Sequence, residues 1–272
     1  MTKNLDKEGL SSIVDNYQLF YIDLWGVVHN GISLYDEAIK VLHEITKKKK
    51  EYILLTNAPR PNYVVKSFLE KLGMEEEIRN HVFTSGEAAL SYLKKNLFNK
   101  IFFHIGPPRD FDLFKDFEKL RSNEIKDSEY ILCTGLFDEH NEDLKYYKKL
   151  LEKSTKKKLI CTNPDLIVDR GDVREFCAGS IAMVFEKMGG EVVYFGKPYP
   201  EVYNQSSDNK NKKILSIGDN LNTDIKGANL LNYDSLLISN GIHKNEIKEK
   251  GVEKVTKSYE AICNYIQSNL KW

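Results

Sequence analysis

A mainly parallel α/β sheet is the fold class that the sequence predicts, and three observations predict it. Apolar runs of strand length alternate with segments of helical period along nearly the whole chain. Several of these runs stop at polar residues beside a glycine or proline, as strands do when their carboxyl ends carry chemistry. The chain has 272 residues, 41% hydrophobic and 29% charged, enough for a substantial core in one large domain or two modest ones.

The first predicted strand is Phe20-Tyr21-Ile22, which delivers Asp23 next to a turn at Gly26. Ala38, Val41, Leu42 and Ile45 then share one helical face, and Tyr52 to Leu55 form the next strand, ending at Thr56-Asn57. Pro59 and Pro61 open a helix with Val64, Val65, Phe68, Leu69 and Leu72 inward, closed by Gly73. His81 to Phe83 make a short strand before Thr84-Ser85-Gly86. The rhythm then restarts with a helix through Leu93, a strand over Ile101 to Ile105 and a helix through Leu113, Phe114, Phe117 and Leu120. Strands at Tyr130 to Cys133 and Leu159 to Cys161 flank a helix from Leu144 to Leu151. This block is near the usual size of a domain. Beyond it come a helix over Ile181 to Met188 and a strand Val192 to Phe195 leading into Gly196-Lys197-Pro198. The strand Ile214 to Ile217 leads into Gly218-Asp219, and further strand–helix pairs near Ser235 to Ile238 and Tyr259 to Leu270 complete the sheet.

Composition narrows the function. Lys+Arg and Asp+Glu are both 40, so no overall field favours nucleic acid or an anionic membrane. The runs Lys47 to Lys50 and Lys156 to Lys158 read as solvated helix ends. No apolar run approaches the roughly 20 residues of a spanning helix. The polar start, Met1 to Glu8, lacks the apolar stretch of a signal peptide, which leads us to expect a cytoplasmic protein. Cys133, Cys161, Cys177 and Cys263 have no metal-finger or C-x-x-C spacing and read as reduced, packed thiols. Cys177, beside small residues at a loop-to-helix junction, is the one to weigh as a nucleophile.

Four predicted strand ends carry polar groups: Asp23, Thr56-Asn57, Lys197, and Asp219 with Asp224 one helical turn on. Neighbouring parallel strands would bring them to one edge. Two or three carboxylates there make a hard oxygen site suited to Mg²⁺. A hydroxyl, a lysine and backbone N–H groups hold phosphoryl oxygens, and a carboxylate not fully used by the metal can act as a nucleophile.

Asp23-Leu24-Trp25-Gly26-Val27, Leu55-Thr56-Asn57, Gly196-Lys197-Pro198 and Gly218-Asp219-Asn220-Leu221-Asn222-Thr223-Asp224 resemble the four motifs of the haloacid dehalogenase (HAD) superfamily. Cys161-Thr162-Asn163-Pro164-Asp165 and Ala178-Gly179-Ser180 bring the resemblance closer to its class IIA branch, which includes NagD-like phosphatases. The resemblance implies a Rossmann-like parallel-sheet core over 1–83 and 181–272, with an inserted α/β cap of the C2 type over 84–180. It implies Asp23 as nucleophile forming an aspartyl-phosphate, with Thr56 and Asn57 hydrogen-bonded to the phosphoryl oxygens. Lys197 would offset negative charge. Asp219 and Asp23 would hold Mg²⁺ with the Trp25 backbone carbonyl, and Asp224 would orient Lys197 or a metal-bound water.

The departure is Trp25. Phosphatases of the family carry there a second aspartate that protonates the leaving oxygen and later deprotonates the attacking water, work worth typically 10²–10⁴-fold. Indole does neither. Three functions follow. The first is a Mg²⁺-dependent phosphatase for a small phosphorylated metabolite, with His29 as the nearest substitute acid, weighed against a structural turn histidine. The second is a binding protein that turns over poorly, and the third a metal-independent dehalogenase, suggested only by the aromatic at Trp25. Substrate choice would lie with the cap, where Asn163, Asp165, Asp172, Arg174 and Cys177 flank its last strand. Arg174 suits a substrate carboxylate or second phosphate, or an ordinary surface ion pair. An exposed sheet edge on the cap would suit a homodimer.

Overall fold

A computed structural model describes residues 2–170 and 173–272; Asp172 lies outside the described residues. The chain divides into two compact units, one comprising Met1–Thr56, Lys66–Phe83 and Tyr203–Trp272, the other Asn57–Val65 and Thr84–Val202.

The chain enters the first unit through β1 (Lys3–Asn4), β2 (Leu19–Ile22), β3 (Glu51–Thr56) and β4 (Val82–Thr84). It then builds β5 (Phe102–Ile105), β6 (Arg121–Ser122), β7 (Tyr130–Cys133), β8 (Lys158–Cys161), β9 (Ile167–Arg170), β10 (Val173–Phe176) and β11 (Glu191–Tyr194). It returns for β12 (Ile214–Gly218), β13 (Asp234–Ile238) and β14 (Tyr265–Gln267).

The first sheet has the order β1-β14-β13-β12-β2-β3-β4. Its central pairs, β13 with β12, β12 with β2 and β2 with β3, are parallel. Every residue of β2 and β12 is buried, which is why both read as unbroken apolar runs rather than as alternating ones. The register aligns Ile217 with Ile22 and Ile22 with Leu54. Asp219, Asp23 and Thr56 therefore leave three adjacent strands at one carboxyl edge. The helix Asp36–Lys47 covers this unit with Ala38, Val41, Leu42 and Ile45 inward.

The second unit has its own parallel sheet, β11-β8-β7-β5-β6, and a β9–β10 antiparallel hairpin. The unit runs past the boundary expected at 180. Ile181, Ala182 and Phe185 pack in one core with Ile131, Leu159 and Tyr147, and β11 pairs with β8. A helix and a strand that bury their apolar faces there belong to that core.

Two local expectations change. The segment expected as a helix through Leu113 and Leu120 forms two 3₁₀ turns, Pro108–Leu113 and Lys115–Leu120. Its rings recur every three residues, at Phe111, Phe114 and Phe117, the period of a 3₁₀ helix rather than of an α-helix. Phe114 and Phe117 pack against Phe102 of β5 at 5.2 and 5.7 Å. Near Tyr259 to Leu270 the chain forms β14, and the helices Lys244–Lys250 and Val252–Ser258 precede it. The two-residue β1 carries no apolar pattern and pairs with β14 through its backbone alone. Among the described residues no helix is long and apolar enough to cross a membrane.

Candidate active site

Asp23 follows β2 directly, and its N–H donates to the Ile217 carbonyl of β12 at 2.9 Å, which fixes the carboxylate at the sheet edge. The chain then turns: the Leu24 carbonyl accepts from the Val28 and His29 N–H groups, and the Gly26 N–H donates to the His29 carbonyl at 2.8 Å. Gly26 has φ +81°, a conformation that favours glycine.

The turn has a second reason for glycine. A Cβ on Gly26 would stand 2.2 Å from Asp219 Oδ2, and one on Gly241 would stand 2.0 Å from the same oxygen. The Asp219 carboxylate thus lies between two bare backbones, and its Oδ2 accepts the Ile242 N–H at 2.8 Å. Asp224 Oδ2 accepts the Asn220 N–H at 3.1 Å, at the start of a π-turn over Leu221–Ile225. π-turns of this kind recur at functional sites.

Asp23, Asp219 and Asp224 each offer one carboxylate oxygen, and these oxygens lie within 4.8 Å of one another, all on buried residues. At that separation, with an effective dielectric of about 20, each like-charged pair costs about 3–4 kcal/mol. A divalent cation would relieve that repulsion, and an all-oxygen donor set fits a hard one. The structure thus brings Asp224, expected to orient a neighbour, into the same acidic cluster as the two expected ligands. Tyr35 belongs to this surrounding too: burial and the charge of Asp219 raise its phenol above the ordinary value.

Trp25 folds back over its own turn. A Cβ on Gly31 would lie 2.5 Å from the indole Cη2, and the indole meets the His29 ring edge-on at 5.1 Å. His29 is buried between Trp25 and Phe68, whose ring centre is 5.7 Å away. Its Nδ1 accepts the Gly31 N–H at 2.9 Å, and burial pushes its pKa down to about 4. The ring is therefore neutral near pH 7, with one nitrogen committed to the turn.

Thr56 ends β3 and is buried in the first unit. Asn57 and Lys197 are buried in the second unit, where they clasp each other. The Lys197 N–H donates to Asn57 Oδ1 at 2.7 Å, and Asn57 Nδ2 donates to the Lys197 carbonyl at 3.1 Å. The remaining Asn57 donor goes to Asp165 Oδ1 at 3.1 Å. Both side-chain amide hydrogens of Asn57 thus go to the Lys197 main chain and to Asp165. Asn163 in turn accepts the Asp165 N–H at 3.0 Å.

Arg174 pairs with Asp169 through two nitrogens, at 2.7 and 2.9 Å, across the β9–β10 hairpin and exposed to solvent. Cys177 is packed, and burial raises its thiol well above the ordinary value, which leaves it protonated and unreactive near neutrality. Sequence reasoning missed Gly241 and Ile242. The readable signal was a glycine just past the strand that neighbours β12.

Residues 20–118 match the sequence profile of the family described as haloacid dehalogenase-like hydrolase, and residues 194–265 match that described as HAD-hydrolase-like. A haloacid dehalogenase-like hydrolase from Brucella suis 1330 is 30% identical, with 97% of this chain and 99% of that one covered and a TM-score of 0.84. A possible sugar phosphatase of the HAD superfamily from Cytophaga hutchinsonii shares the fold at 20% identity, TM-score 0.79, over 97% and 98% of the two chains. Phosphoglycolate phosphatase 2 of Arabidopsis thaliana is 25% identical over 281 residues, 91% of each chain. The chain belongs to the haloacid dehalogenase-like hydrolase family, and it shares its fold with a putative NagD protein that is 24% identical, TM-score 0.65, over 84% and 90% of the two chains.

Proposed function

We propose that the protein is a Mg²⁺-dependent phosphatase that acts on a small phosphorylated metabolite through an aspartyl-phosphate on Asp23, with slow release of the phosphoryl group. The buried cluster of Asp23, Asp219 and Asp224 carries this reading. Relatives that are phosphatases by name, phosphoglycolate phosphatase 2 of Arabidopsis thaliana and a 4-nitrophenylphosphatase of Thermotoga maritima among them, support it.

In this reading Asp23, Asp219 and Asp224, with the Trp25 carbonyl, would hold the cation, which would supply charge neutralisation for the phosphate. One Asp23 carboxylate oxygen would attack phosphorus, forming the Asp23 O–P bond as the ester P–O bond breaks, and the leaving oxygen would take its proton from solvent, because Trp25 offers none. Thr56 hydrogen-bonds the phosphoryl oxygens and Lys197 offsets their charge, its main chain positioned by Asn57. Residues 84–180, the larger part of the second unit, supply the cap expected from the resemblance, which would admit small substrates.

Release is slow because Trp25 stands where the second aspartate of the family's phosphatases would serve as acid and base, and indole does neither. His29 does not replace it, because its Nδ1 is tied to the Gly31 N–H and its ring is buried between Trp25 and Phe68. The binding-protein reading is the limit of the same scheme, a phosphoaspartate that persists. A dehalogenase would have no use for three crowded carboxylates, which argues against that reading. Purified protein with Mg²⁺ should release p-nitrophenol from p-nitrophenyl phosphate, and Asp23→Asn should not. Equal rates in the two proteins, or in the presence of chelator, would sink the proposal.

A further inference from the structure

Asp219 follows β12 and Asp224 lies inside the π-turn Leu221–Ile225, so the start of that turn sets where the two carboxylates stand. N–H groups at a helix start have no acceptor inside the helix, and here three in succession find one outside it. The Asn220 N–H donates to Asp224 Oδ2 at 3.1 Å, and the Asn222 N–H to Asn220 Oδ1 at 2.9 Å. Between them the buried Leu221 N–H donates to Nε2 of His243 at 3.2 Å, across 22 residues of chain.

His243 comes from the loop after β13, and that loop meets the acidic cluster a second time. Its neighbour Ile242 donates its N–H to Asp219 Oδ2 at 2.8 Å, and Gly241 sets its bare backbone against the same oxygen. The stretch Gly241-Ile242-His243 thus holds Asp219 through its backbone and the turn that carries Asp224 through its imidazole. The imidazole is itself held. It is buried and meets the Tyr259 ring edge-on at 4.8 Å. Its Nδ1 lies 3.7 Å from Glu246 Oε2, which accepts the Tyr259 hydroxyl at 3.2 Å, while Lys250 pairs with Oε1 at 3.1 Å. A neutral imidazole that accepts at Nε2 carries its proton on Nδ1, the nitrogen that faces this carboxylate. Leu221, Ile225 and Val255 share one core, and Tyr259 packs against it. All of these residues belong to the first unit.

We propose that His243 is a positioning residue for the cation site: by accepting the Leu221 N–H it holds the π-turn against the Gly241–Ile242 loop and keeps Asp219 and Asp224 at the separation a divalent cation needs. The inference rests on the metal-binding part of the phosphatase reading, and its test measures metal affinity rather than turnover. Metal-free protein would be titrated calorimetrically with Mg²⁺ and melted without it. His243→Phe keeps a ring against Tyr259 but has no acceptor, and should weaken Mg²⁺ binding by about 10-fold or more. His243→Gln, whose amide oxygen reaches about as far as Nε2, should bind within about 3-fold of wild type. Val255→Ala opens the same core without touching the hydrogen bond, and should lower the melting temperature while leaving the Mg²⁺ affinity unchanged. The inference is overturned if His243→Phe binds Mg²⁺ as wild type does, if His243→Gln binds no better than His243→Phe, or if Val255→Ala loses as much affinity. Should His243→Phe fail to melt cooperatively, His243→Asn takes its place: its amide stops short of the Nε2 position, so binding as tight as that of His243→Gln overturns the inference and weaker binding supports it. A wild type that takes up no Mg²⁺ overturns this inference together with the metal-dependent reading. One that binds Mg²⁺ by way of His243 yet releases no p-nitrophenol refutes the phosphatase alone.

Discussion

Asp219 shows how little freedom a single carboxylate in this site has. Two glycine backbones face its Oδ2, and a methyl group on either would overlap it. Gly241→Ala should therefore displace the carboxylate and weaken Mg²⁺ binding at least about 10-fold, measured by titration of the metal-free protein. An unchanged affinity would mean that Asp219 is not a ligand. Trp25 poses the opposite question, since its side chain turns away onto Gly31 and His29. Trp25→Asp would restore a titratable carboxyl two residues after Asp23 and should raise turnover of p-nitrophenyl phosphate, by up to about 10²–10⁴-fold. A fall in rate, in a protein that still melts cooperatively, would assign the indole a role of its own.

At the scale of elements, the turn from Asp23 to Gly31 is a structure built on a neutral histidine. His29 in the folded chain stays unprotonated down to about pH 4, against an ordinary value of 6.5. Its contribution to stability is complete above pH 6.5 and is lost as the pH falls from there toward 4, because the unfolded chain takes up the proton first. The depression corresponds to about 3 kcal/mol at most. His104, pushed down to about 3 by burial, adds a loss of the same sign in the second unit. Urea midpoints should thus drop between pH 7 and pH 4.5, and His29→Phe should flatten part of that slope. The Asn57 clasp is the corresponding device of the second unit. An amide that exchanges two hydrogen bonds with one backbone residue fixes Lys197 as a strand partner would, and Gly196, with its φ of +118°, lets the chain come that close.

For the molecule as a whole, the consequence of the site is linkage. Three carboxylates held within 4.8 Å repel one another in the folded chain and separate in the unfolded one. Mg²⁺ that binds only the folded form stabilises it by about 2.7 kcal/mol at a hundred times its Kd. The melting temperature should rise with Mg²⁺, return with chelator, and become insensitive to Mg²⁺ in Asp219→Asn. A rise that persists in that variant would place the cation elsewhere. The two units also share one sequence rhythm. Both are parallel sheets covered by helices, so the βα rhythm runs through 181–202 without a break, although β11 belongs with β8.

Much of the fold and part of the site were legible in the sequence, for a physical reason. Parallel strands buried on both faces must be continuous apolar runs, so Leu19 to Ile22 and Ile214 to Ile217 announce themselves. The polar residues that end them can only be turns or chemistry. The 3₁₀ turns around Phe114 and the short β1 were not legible as such, since the pairing of distant segments decides them. The sequence by itself determined the alternation of elements, the acidic residues Asp23, Asp219 and Asp224, and the anomaly at Trp25. Only the tertiary structure decided that all three carboxylates share one cluster and that Gly241 makes room for it. It also decided that His29 is tied to its turn, and that Arg174 is paired with Asp169 across a hairpin. Those outcomes depend on contacts between residues far apart in the chain, and a pattern read along one dimension does not contain them.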